Sequence, residues 1–418
     1  MRAILQSSQP HRRLSLHRHL RFLSTSTSNP IPTPTPNESN PTPPAPTKSA
    51  IRAHLRRETD PDRALSFLSS LPSSASSSSY KNFVYFVSRR LSNSFRHEDA
   101  AKLLDSCIPH ATAESDFASL LASYGYAYIP DRALSAFKAR IADGSLTVSV
   151  LSFNALLSAF RRSGQFQQVP HLFTSLSEEY HISPNDVSYS ILIKSLCLSR
   201  KVEDALVMLK LMREEKGINP TPAIYGIVLN SLYKINKFEE AELLWNEMVE
   251  RTGCKPDDAA YNARICYRAT RGETDKVLEL IKEMETAGVK PNTFTYNFLM
   301  MCHFKNEHWE VAKTVYKQML AKKVCAPNGA TFRILLDGFS QSRDFKTGLR
   351  VFFESLKKNK MPDLTLVRTF VEGLVKDGKA DQAKTVAAQV RKIVPAKSTD
   401  FWKQVEKDLG LSSDADKA

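Results

Sequence analysis

Six pairs, each an aromatic residue and the residue directly after it, recur along the chain at nearly constant spacing. A seventh pair, Val367-Arg368, continues the series with Val in place of the aromatic residue. The six pairs are Phe153-Asn154, Tyr189-Ser190, Tyr225-Gly226, Tyr261-Asn262, Tyr296-Asn297 and Phe332-Arg333. Successive aromatic residues are 36, 36, 36, 35 and 36 positions apart. Three of the six following residues are Asn, whose amide offers hydrogen-bond donors and acceptors together. Side chains repeated in one phase indicate a repeated unit rather than a single catalytic centre.

The residues that most often carry catalysis do not fall into a known pattern. His303 and His308 are five positions apart with Glu307 between them, which is not the order of a zinc-protease helix. Glu214-Glu215 and Glu239-Glu240 are predicted to be solvated charge on helix surfaces. The chain has only 14 Gly and no Gly-rich phosphate loop. We therefore expect no enzyme activity, no metal, no cofactor and no small-molecule substrate.

The spacing of the cysteines and the hydropathy of the chain indicate the kind of cellular compartment in which the protein works. The six cysteines never form Cys-x-x-Cys, so they are predicted to be reduced thiols of an intracellular protein. They are Cys107, Cys197, Cys254, Cys266, Cys302 and Cys325. No apolar run approaches the roughly 20 residues that cross a bilayer, so no membrane partner is expected.

The period itself predicts the elements that position the recurring polar residues. A repeat length of this size is typical of helical hairpins that stack into a solenoid. A second marker keeps the same phase, a Pro and a polar residue just before each new unit: Pro184-Asn185, Pro220-Thr221, Pro256-Asp257, Pro291-Asn292, Pro327-Asn328 and Pro362-Asp363. Two markers in one phase favour a single long array over several globular domains.

One unit, residues 258–292, illustrates the predicted hairpin. Its first helix contains Tyr261 and ends near Gly272, a residue type that commonly closes helices. Its second helix carries apolar residues at helical spacing on one face, from Val277 to Met284. Pro291 then prevents the helix from continuing. Because one hairpin cannot bury this apolar face alone, successive hairpins must stack and share it.

The N-terminus has the composition of a targeting signal. Residues 1–29 are rich in Arg, Ser and Leu and lack Asp and Glu, which is typical of an organellar transit peptide. Arg21 shortly before Ser24 resembles the mitochondrial processing pattern, so we expect cleavage near residue 23 and delivery to the mitochondrial matrix, with the plastid as the alternative. Residues 30–49 alternate Pro with polar residues and are predicted to be a disordered linker.

The strings Val289-Lys290-Pro291-Asn292-Thr293-Phe294-Thr295-Tyr296-Asn297 and Asp186-Val187-Ser188-Tyr189-Ser190 resemble pentatricopeptide repeats (PPR) of the plant P class. The resemblance implies an all-α fold, a right-handed superhelical α-solenoid of helix-turn-helix repeats. The implied units are degenerate repeats over 50–113, a weak repeat over 114–149, six repeats at 150–185, 186–221, 222–257, 258–292, 293–328 and 329–363, a degenerate repeat over 364–397, and a capping helix and tail over 398–418.

In this family, the resemblance implies that each unit reads one RNA base with its fifth residue and its last residue. The implied reading pairs are Asn154 with Asn185, Ser190 with Thr221, Gly226 with Asp257, Asn262 with Asn292, Asn297 with Asn328, and Arg333 with Asp363. The Asn-Asn pairs lean towards pyrimidines, whereas Gly226, Arg333 and Thr221 depart from the pattern. Taken alone, each polar residue could equally serve as a turn or helix-cap residue.

Two further positions of each unit are predicted to contact RNA. The second residue should sandwich the base, and it is apolar in Leu151, Val187 and Phe294 but only Ala in three other units. The thirteenth residue is a cation in four units, Arg162, Lys234, Lys305 and Lys376, and could contact phosphates. The alternative for these four is scattered surface charge.

The charge of the chain is compatible with a polyanionic partner. The formal net charge is +14, and about +9 remains when the five Arg residues before Glu38 are set aside. We therefore predict a non-catalytic adaptor that binds single-stranded or ribosomal RNA in mitochondria, for transcript stabilisation, processing or translation. The alternatives are a structural component of the mitochondrial ribosome, in contact with mitoribosomal proteins of its small subunit, and a protein-protein scaffold.

Overall fold

The computed structural model describes residues 47–58, 60–70, 78–144, 148–321, 325–394 and 398–411. The predicted transit peptide and nearly all of the predicted linker lie outside the described residues. One detail of the linker prediction is wrong, because the helix that begins at Lys48 includes the last two residues of the predicted linker.

The described residues form α-helices joined by short turns, with one 3-10 turn at Phe166–Gln168 and one π turn at Glu247–Arg251. The helices are α1 (Lys48–Arg57), α2 (Pro61–Ser70), α3 (Ser78–Asn93), α4 (His97–Cys107), α5 (Glu114–Tyr126), α6 (Pro130–Ala142), α7 (Val150–Arg162), α8 (Val169–Glu179), α9 (Asp186–Leu198), α10 (Val202–Glu214), α11 (Pro222–Lys234), α12 (Phe238–Asn246), α13 (Asp258–Arg271), α14 (Thr274–Thr286), α15 (Thr293–Lys305), α16 (Trp309–Ala321), α17 (Gly329–Gln341), α18 (Phe345–Lys357), α19 (Leu364–Lys376), α20 (Ala380–Ile393) and α21 (Thr399–Asp408).

The helices are paired into hairpins that stack along the chain. The first helices form a continuous row in which each contacts the one before and the one after, from α5 through α7, α9, α11, α13, α15 and α17 to α19. One apolar cluster extends from Leu55 to Val351, and a second one, from Leu336 to Leu411, continues the core. The described part of the chain therefore forms an α-solenoid, as the sequence predicts.

The recurring aromatic residues are part of this core. The six aromatic side chains from Phe153 to Phe332 are between 0 and 7 % exposed. Met212 in α10, Met284 in α14, and Met248 in the π turn after α12 are fully buried as well. Because the aromatic residue points into the core, the polar residue that follows it lies a quarter of a helical turn away, at the edge of the opposite face.

The turn between the two helices of each hairpin has a common backbone conformation. The fifteenth residue of all seven units from 150 onwards has a positive φ: Gly164, Arg200, Asn236, Gly272, Glu307, Arg343 and Gly378. Gly adopts this left-handed region without strain, but Arg and Glu do so at a cost. The stacking geometry therefore imposes the turn even where the residue type does not favour it.

Within the described residues, none of the helices is long and apolar enough to cross a membrane.

Candidate nucleic-acid interface

One face of the first helices, which we call the groove face, carries the second, fifth, ninth and thirteenth residues of each unit from 150 to 376. Residues at these intervals lie on the same side of an α-helix. Three large apolar side chains at the second position are solvent-exposed: Leu151 at 47 %, Val187 at 48 % and Phe294 at 55 %. Nothing in the described fold covers them. An exposed row of apolar side chains is suited to stack against planar groups.

The fifth residues that are Asn lie deeper than those apolar side chains. Asn262 is only 8 % exposed and Asn297 only 2 % exposed, while Asn154 is half-buried. A buried amide is stable only when its donors and acceptors are paired. The pairing of these amides therefore determines what they can still offer to a ligand.

Asn262 is held in a closed network with Asn292 and Thr295 of the next helix. The Thr295 hydroxyl donates to Asn262 Oδ1 at 2.8 Å, and Asn262 Nδ2 donates to Asn292 Oδ1 at 3.3 Å. The Asn292 backbone N–H donates to Thr295 Oγ1 at 3.1 Å, and the Thr295 backbone N–H donates back to Asn292 Oδ1 at 3.3 Å. Oδ1 of Asn262 thus accepts one hydrogen bond and Nδ2 donates one.

The same network recurs at two other junctions. The Ser188 hydroxyl donates to Asn154 Oδ1 at 2.7 Å, and Asn154 Nδ2 donates to Asn185 Oδ1 at 3.1 Å. At the third junction, the Thr331 hydroxyl donates to Asn297 Oδ1 at 2.8 Å. Asn297 Nδ2 donates to Asn328 Oδ1 at 3.4 Å there. We call each of these three networks a junction clamp, because it links consecutive units through side chains.

The hydroxyl residues of the junction clamps, Ser188, Thr295 and Thr331, are not among the predicted site residues. A signal for them does exist in the sequence. Each hydroxyl residue is the third residue of the unit that follows an Asn at the fifth position. In the units that follow Ser190, Gly226 and Arg333, the third residue is Ile224, Ala260 and Leu366, respectively.

The last residues of the predicted reading pairs are helix N-caps. Five of the six accept a backbone N–H through their side chains: Asn185, Asp257, Asn292, Asn328 and Asp363. The sixth, Thr221, makes no such bond, and Pro222 begins the helix after it instead. The three Asn caps form complete capping boxes with the hydroxyl residue three positions on. The capping role and the proposed reading role therefore fall on the same side chains.

Gly226 has a packing reason to lack a side chain. A Cβ atom at Gly226 would lie 3.3 Å from the Ala260 backbone nitrogen and 3.6 Å from the Ala259 Cβ. The first helices α11 and α13 thus approach closely at this point. A cleft of about 770 Å³ opens beside them, lined by Gly226, Ala223 and Ala259 together with Lys194 and Lys234 on neighbouring turns.

The predicted phosphate-contacting cations differ in what they contact. The Arg162 guanidinium lies 4.5 Å from the centre of the Tyr126 ring, and the Lys305 ammonium donates to the Thr270 carbonyl. Lys234 lines the cleft beside Gly226, and Lys376 is exposed at the end of α19. All four side chains are exposed on the groove face, so each can reach a ligand there.

Two further cations, which the sequence analysis did not single out, join Arg162. The pKa of Lys194 is lowered by desolvation and by the charge of Arg161. The pKa of Arg161 is lowered by desolvation and by the charge of Arg162, and its Nε is buried without a hydrogen-bond partner. In the described residues, no carboxylate forms an ion pair with any of the three. Such a cluster of like charges favours an anion.

The opposite end of the groove face is less basic. The ninth residue is Asp337 in α17 and Glu372 in α19, where α9 has Lys194. Glu372 is paired with Arg368 at 2.6 Å. Arg333 and Asp363 are exposed. The positive potential of the groove face is therefore concentrated in α7, α9 and α11.

The remaining groups that could carry chemistry are two histidines and the six cysteines. The rings of His303 and His308 are 6.0 Å apart, and the pKa of the buried His303 is lowered by desolvation and by His308. The six cysteines carry free thiols, with Cys302 and Cys325 buried and the others half-buried. Over the described ranges, no group of three His, Cys, Asp or Glu residues could hold a metal ion.

Two protein-family models match this chain. The PPR repeat family matches residues 148–198, 256–303 and 291–341, and the PPR repeat matches residues 187–216 and 223–252. The matched segments coincide with the helical hairpins that carry the groove face.

The chain is similar over most of its length to two proteins of Arabidopsis thaliana. It is 36 % identical to small ribosomal subunit protein mL103 (rPPR7) over 372 residues, which is 88 % of this chain and 89 % of that protein. It is 35 % identical over 371 residues to a mitochondrial pentatricopeptide repeat-containing protein, which is 88 % of this chain and 87 % of that protein.

Among solved structures, the chain is similar to the maize pentatricopeptide repeat protein PPR10, with 16 % identity and a TM-score of 0.45. The similarity covers 86 % of this chain and 59 % of the maize protein. Yeast Rmd9p, solved in complex with a 16-nucleotide target RNA, is 12 % identical, with a TM-score of 0.40 over 86 % of this chain and 97 % of that one.

Proposed function

Since this chain belongs to the pentatricopeptide repeat family, we propose that it is a non-catalytic RNA-binding protein of mitochondria. We propose further that it works as a structural component of the small subunit of the mitochondrial ribosome, with ribosomal RNA on its groove face. The observation that carries this finer assignment is the similarity, along nearly the whole length of both chains, to small ribosomal subunit protein mL103.

The chemistry of the groove face supports RNA as the ligand. Exposed apolar side chains at Leu151, Val187 and Phe294 suit stacking against bases. The cluster of Arg161, Arg162 and Lys194 suits phosphates, because no carboxylate of the described chain is paired with it. Stacking together with an unpaired basic cluster is the combination that single-stranded RNA requires.

The incomplete set of predicted base-reading residues supports an RNA partner that stays bound in an assembly, rather than one that the protein must select from many RNAs by its sequence. Gly226 has no side chain, Arg333 is an exposed cation, and the buried amides of Asn262 and Asn297 already have two hydrogen bonds each. A protein held in an assembly meets its RNA at a high effective concentration, so it needs less discrimination per base. Partial readout is sufficient under those conditions.

The compartment is part of the same proposal. The basic, acid-free stretch of residues 1–29 suits mitochondrial import, and the second similar Arabidopsis thaliana protein is named as mitochondrial. The matrix is where an RNA-binding component of this ribosome would work.

A second candidate is an adaptor that selects one transcript, and a specific observation favours it. Three units retain Asn at both reading positions: Asn154 with Asn185, Asn262 with Asn292, and Asn297 with Asn328. Two of these units are consecutive, so they could read two adjacent pyrimidines. An adaptor of this kind would protect, process or present a messenger RNA.

Sedimentation combined with RNA crosslinking separates the two candidates. The tagged protein is followed through a gradient of mitochondrial lysate, and its crosslinked RNA is sequenced from each fraction. The proposal predicts co-sedimentation with the small subunit and reads on ribosomal RNA. Light fractions with reads at a few messenger sites would instead establish the adaptor.

Two variants sharpen this experiment. The double variant Asn262→Ala with Asn297→Ala removes two readers, and a ribosomal component should keep its position in the gradient. Leu243→Glu changes a side chain that is 69 % exposed on the second helix α12, away from the groove face. A ribosomal component that contacts protein through these outer helices should shift towards light fractions with Leu243→Glu.

A further inference from the structure

We propose that Ser188, Thr295 and Thr331 are positioning residues that determine base specificity, although they do not contact the RNA themselves. Each hydroxyl fixes the orientation of the Asn amide of the preceding unit, so that the amide presents only a donor to the groove. This inference rests on the proposed function, because it concerns which bases the groove prefers once it binds RNA.

The orientation of the Asn262 amide depends on the helix cap formed by Asn292. Asn292 caps α15 through Oδ1, which accepts from the backbone N–H groups of Phe294 at 2.9 Å and Thr295 at 3.3 Å. Because a cap must present its oxygen to those donors, the orientation of the Asn292 amide is fixed by the start of the helix. The fixed Oδ1 then serves as the acceptor for the Nδ2 of Asn262 at 3.3 Å.

The hydroxyl of Thr295 determines the orientation of the Asn262 amide. Thr295 Oγ1 accepts the backbone N–H of Asn292 at 3.1 Å, and its single hydrogen has two acceptors within reach. The nearer is Asn262 Oδ1 at 2.8 Å, and the farther is Asn292 Oδ1 at 3.4 Å. The hydroxyl therefore donates to Asn262, which places the oxygen of that amide towards Thr295 and away from the groove.

A flipped Asn262 amide would be penalised at both ends. Its oxygen would then face Asn292 Oδ1, and two acceptors would meet without a hydrogen between them. The hydroxyl hydrogen of Thr295 would also have to turn to the longer contact with Asn292. Without the hydroxyl only one of these two penalties remains, so the amide can change its orientation more easily.

The fixed orientation has a consequence for base recognition. Nδ2 of each clamped Asn has two hydrogens and uses one for the cap residue, so one N–H remains for a ligand. This N–H can pair with the carbonyl oxygen that both pyrimidines carry at position 2. At the corresponding place on its Watson–Crick edge adenine carries a C2–H group, which cannot accept this hydrogen bond. A clamped unit should therefore prefer a pyrimidine to adenine.

The distribution of these residues along the chain supports a shared role. All three Asn residues at the fifth position are followed by a hydroxyl at the third position of the next unit. The three units with Ser190, Gly226 or Arg333 are followed by Ile224, Ala260 or Leu366. From residue 150 onwards, an Asn at the fifth position is always followed by a hydroxyl at the third position of the next unit, and the other fifth residues are not.

The test uses the full chain with two hydroxyls replaced, Thr295→Val with Thr331→Val, and compares its affinity for oligouridine and oligoadenosine of equal length. Val keeps the shape of Thr and removes both the hydrogen bond to the Asn amide and the capping-box hydrogen bond from the backbone N–H of Asn292 or Asn328. We expect the preference for oligouridine to fall roughly tenfold, which corresponds to about 1.4 kcal/mol, since two orienting hydrogen bonds are lost. Thr295→Ser with Thr331→Ser keeps both hydroxyls and should restore the wild-type preference.

Two controls separate orientation from loss of stability. Val390→Ala destabilises the core of the hairpin formed by α19 and α20 without touching a clamp, and Thr314→Val removes an exposed hydroxyl that bonds only within α16. Both should leave the ratio of the two affinities unchanged. An unchanged ratio in the Thr295→Val, Thr331→Val protein, or a changed ratio in the Val390→Ala protein, would overturn the proposal.

A measurement without RNA distinguishes failure of this inference from failure of the proposed function. The side-chain amide signals of Asn262 and Asn297 are followed by nuclear magnetic resonance with ¹⁵N-labelled Asn. Slow hydrogen exchange in the wild-type and Ser proteins but not in the Val protein would support the orienting role of the hydroxyl. If the wild-type protein binds neither RNA, the proposed function fails, and the specificity role fails with it.

Discussion

The hydroxyl of Thr331 donates to Oδ1 of Asn297 across 2.8 Å, although the two residues are 34 positions apart in the chain. Both side chains are buried, at the contact between α15 and α17. The contact joins two consecutive units at the edge of the groove face. Asn297, which the sequence predicts to read RNA, is therefore also a structural link between repeats.

Replacing Asn297 should cost stability as well as binding. Asn297→Ala removes the nearer acceptor of the Thr331 hydroxyl, which is left with Asn328 Oδ1 at 3.1 Å, and opens a small void, so the free energy of unfolding should fall by about 1–3 kcal/mol. Urea denaturation followed by circular dichroism measures this change. Ser190→Ala, at the fifth position of an unclamped unit, is the matched control and should change stability by less than about 0.5 kcal/mol.

The turn residues allow a prediction in the stabilising direction. Glu307 has a φ of 59° at a position where three other units have Gly. Glu307→Gly should raise the free energy of unfolding by about 1 kcal/mol, because Gly adopts the left-handed region without strain. The melting temperature reports the change.

The reverse substitution in another unit is the control for Glu307→Gly. Gly272→Ala should destabilise the protein, since its φ is 79° and an added Cβ would lie 2.7 Å from Oδ1 of Asn306. A melting temperature that falls for Glu307→Gly would show that the Glu307 side chain contributes more than its backbone costs.

The fold was predictable because its two sequence markers report directly on local structure. The aromatic residue of each pair, such as Tyr261, must be buried, and the Pro of each closing segment, such as Pro291, must end a helix. Both constraints act within one unit, and their repetition in phase specifies stacking. For this reason a single sequence predicts the solenoid without knowledge of any long-range contact.

The site was less predictable because its geometry arises between units. Position counting identifies Asn262 and Asn292, but not that Thr295 fixes the orientation of the amide. Similarly, Gly226 appears in the sequence as a base-reading position that has lost its side chain, whereas the structure gives it a packing role between α11 and α13. The unpaired basic cluster at Arg161 was missed, because it depends on the distance between neighbouring first helices.

The basic cluster of α7 and α9 yields a prediction about salt dependence. Arg161→Ala and Lys194→Ala should each weaken RNA binding to a similar extent for all sequences. Each should also reduce the slope of log affinity against log salt by roughly 1 if one phosphate contact is lost. Binding isotherms at several salt concentrations measure the slope.

A lysine on the opposite side of the solenoid controls for total charge. Lys282→Ala removes an exposed cation of the second helix α14 and should leave the slope unchanged. Equal effects of Lys282→Ala and Lys194→Ala would mean that net charge, rather than the cluster, determines the affinity.

The ion pair between α16 and α18 predicts how stability depends on pH. Asp344 lies 2.5 Å from Lys313 and also caps α18 by accepting the Thr347 backbone N–H at 3.2 Å. Burial raises the pKa of Asp344, but the hydrogen bonds and the charge of Lys313 outweigh it and hold the pKa below the ordinary value of 3.8. A lowered pKa contributes stability above the unfolded value, and this contribution is lost as the pH falls through the folded value.

Asp344→Asn should keep the cap and remove the charge, since Asn is an equally good N-cap residue. The variant should therefore be less stable than the wild-type protein at pH 7, and the difference should shrink as the pH falls below about 4. Urea denaturation between pH 3 and pH 7 measures both effects. Asp337→Asn, which changes an exposed carboxylate of α17, is the control, and a difference for Asp344→Asn that stays constant with pH would mean that the ion pair adds nothing to stability.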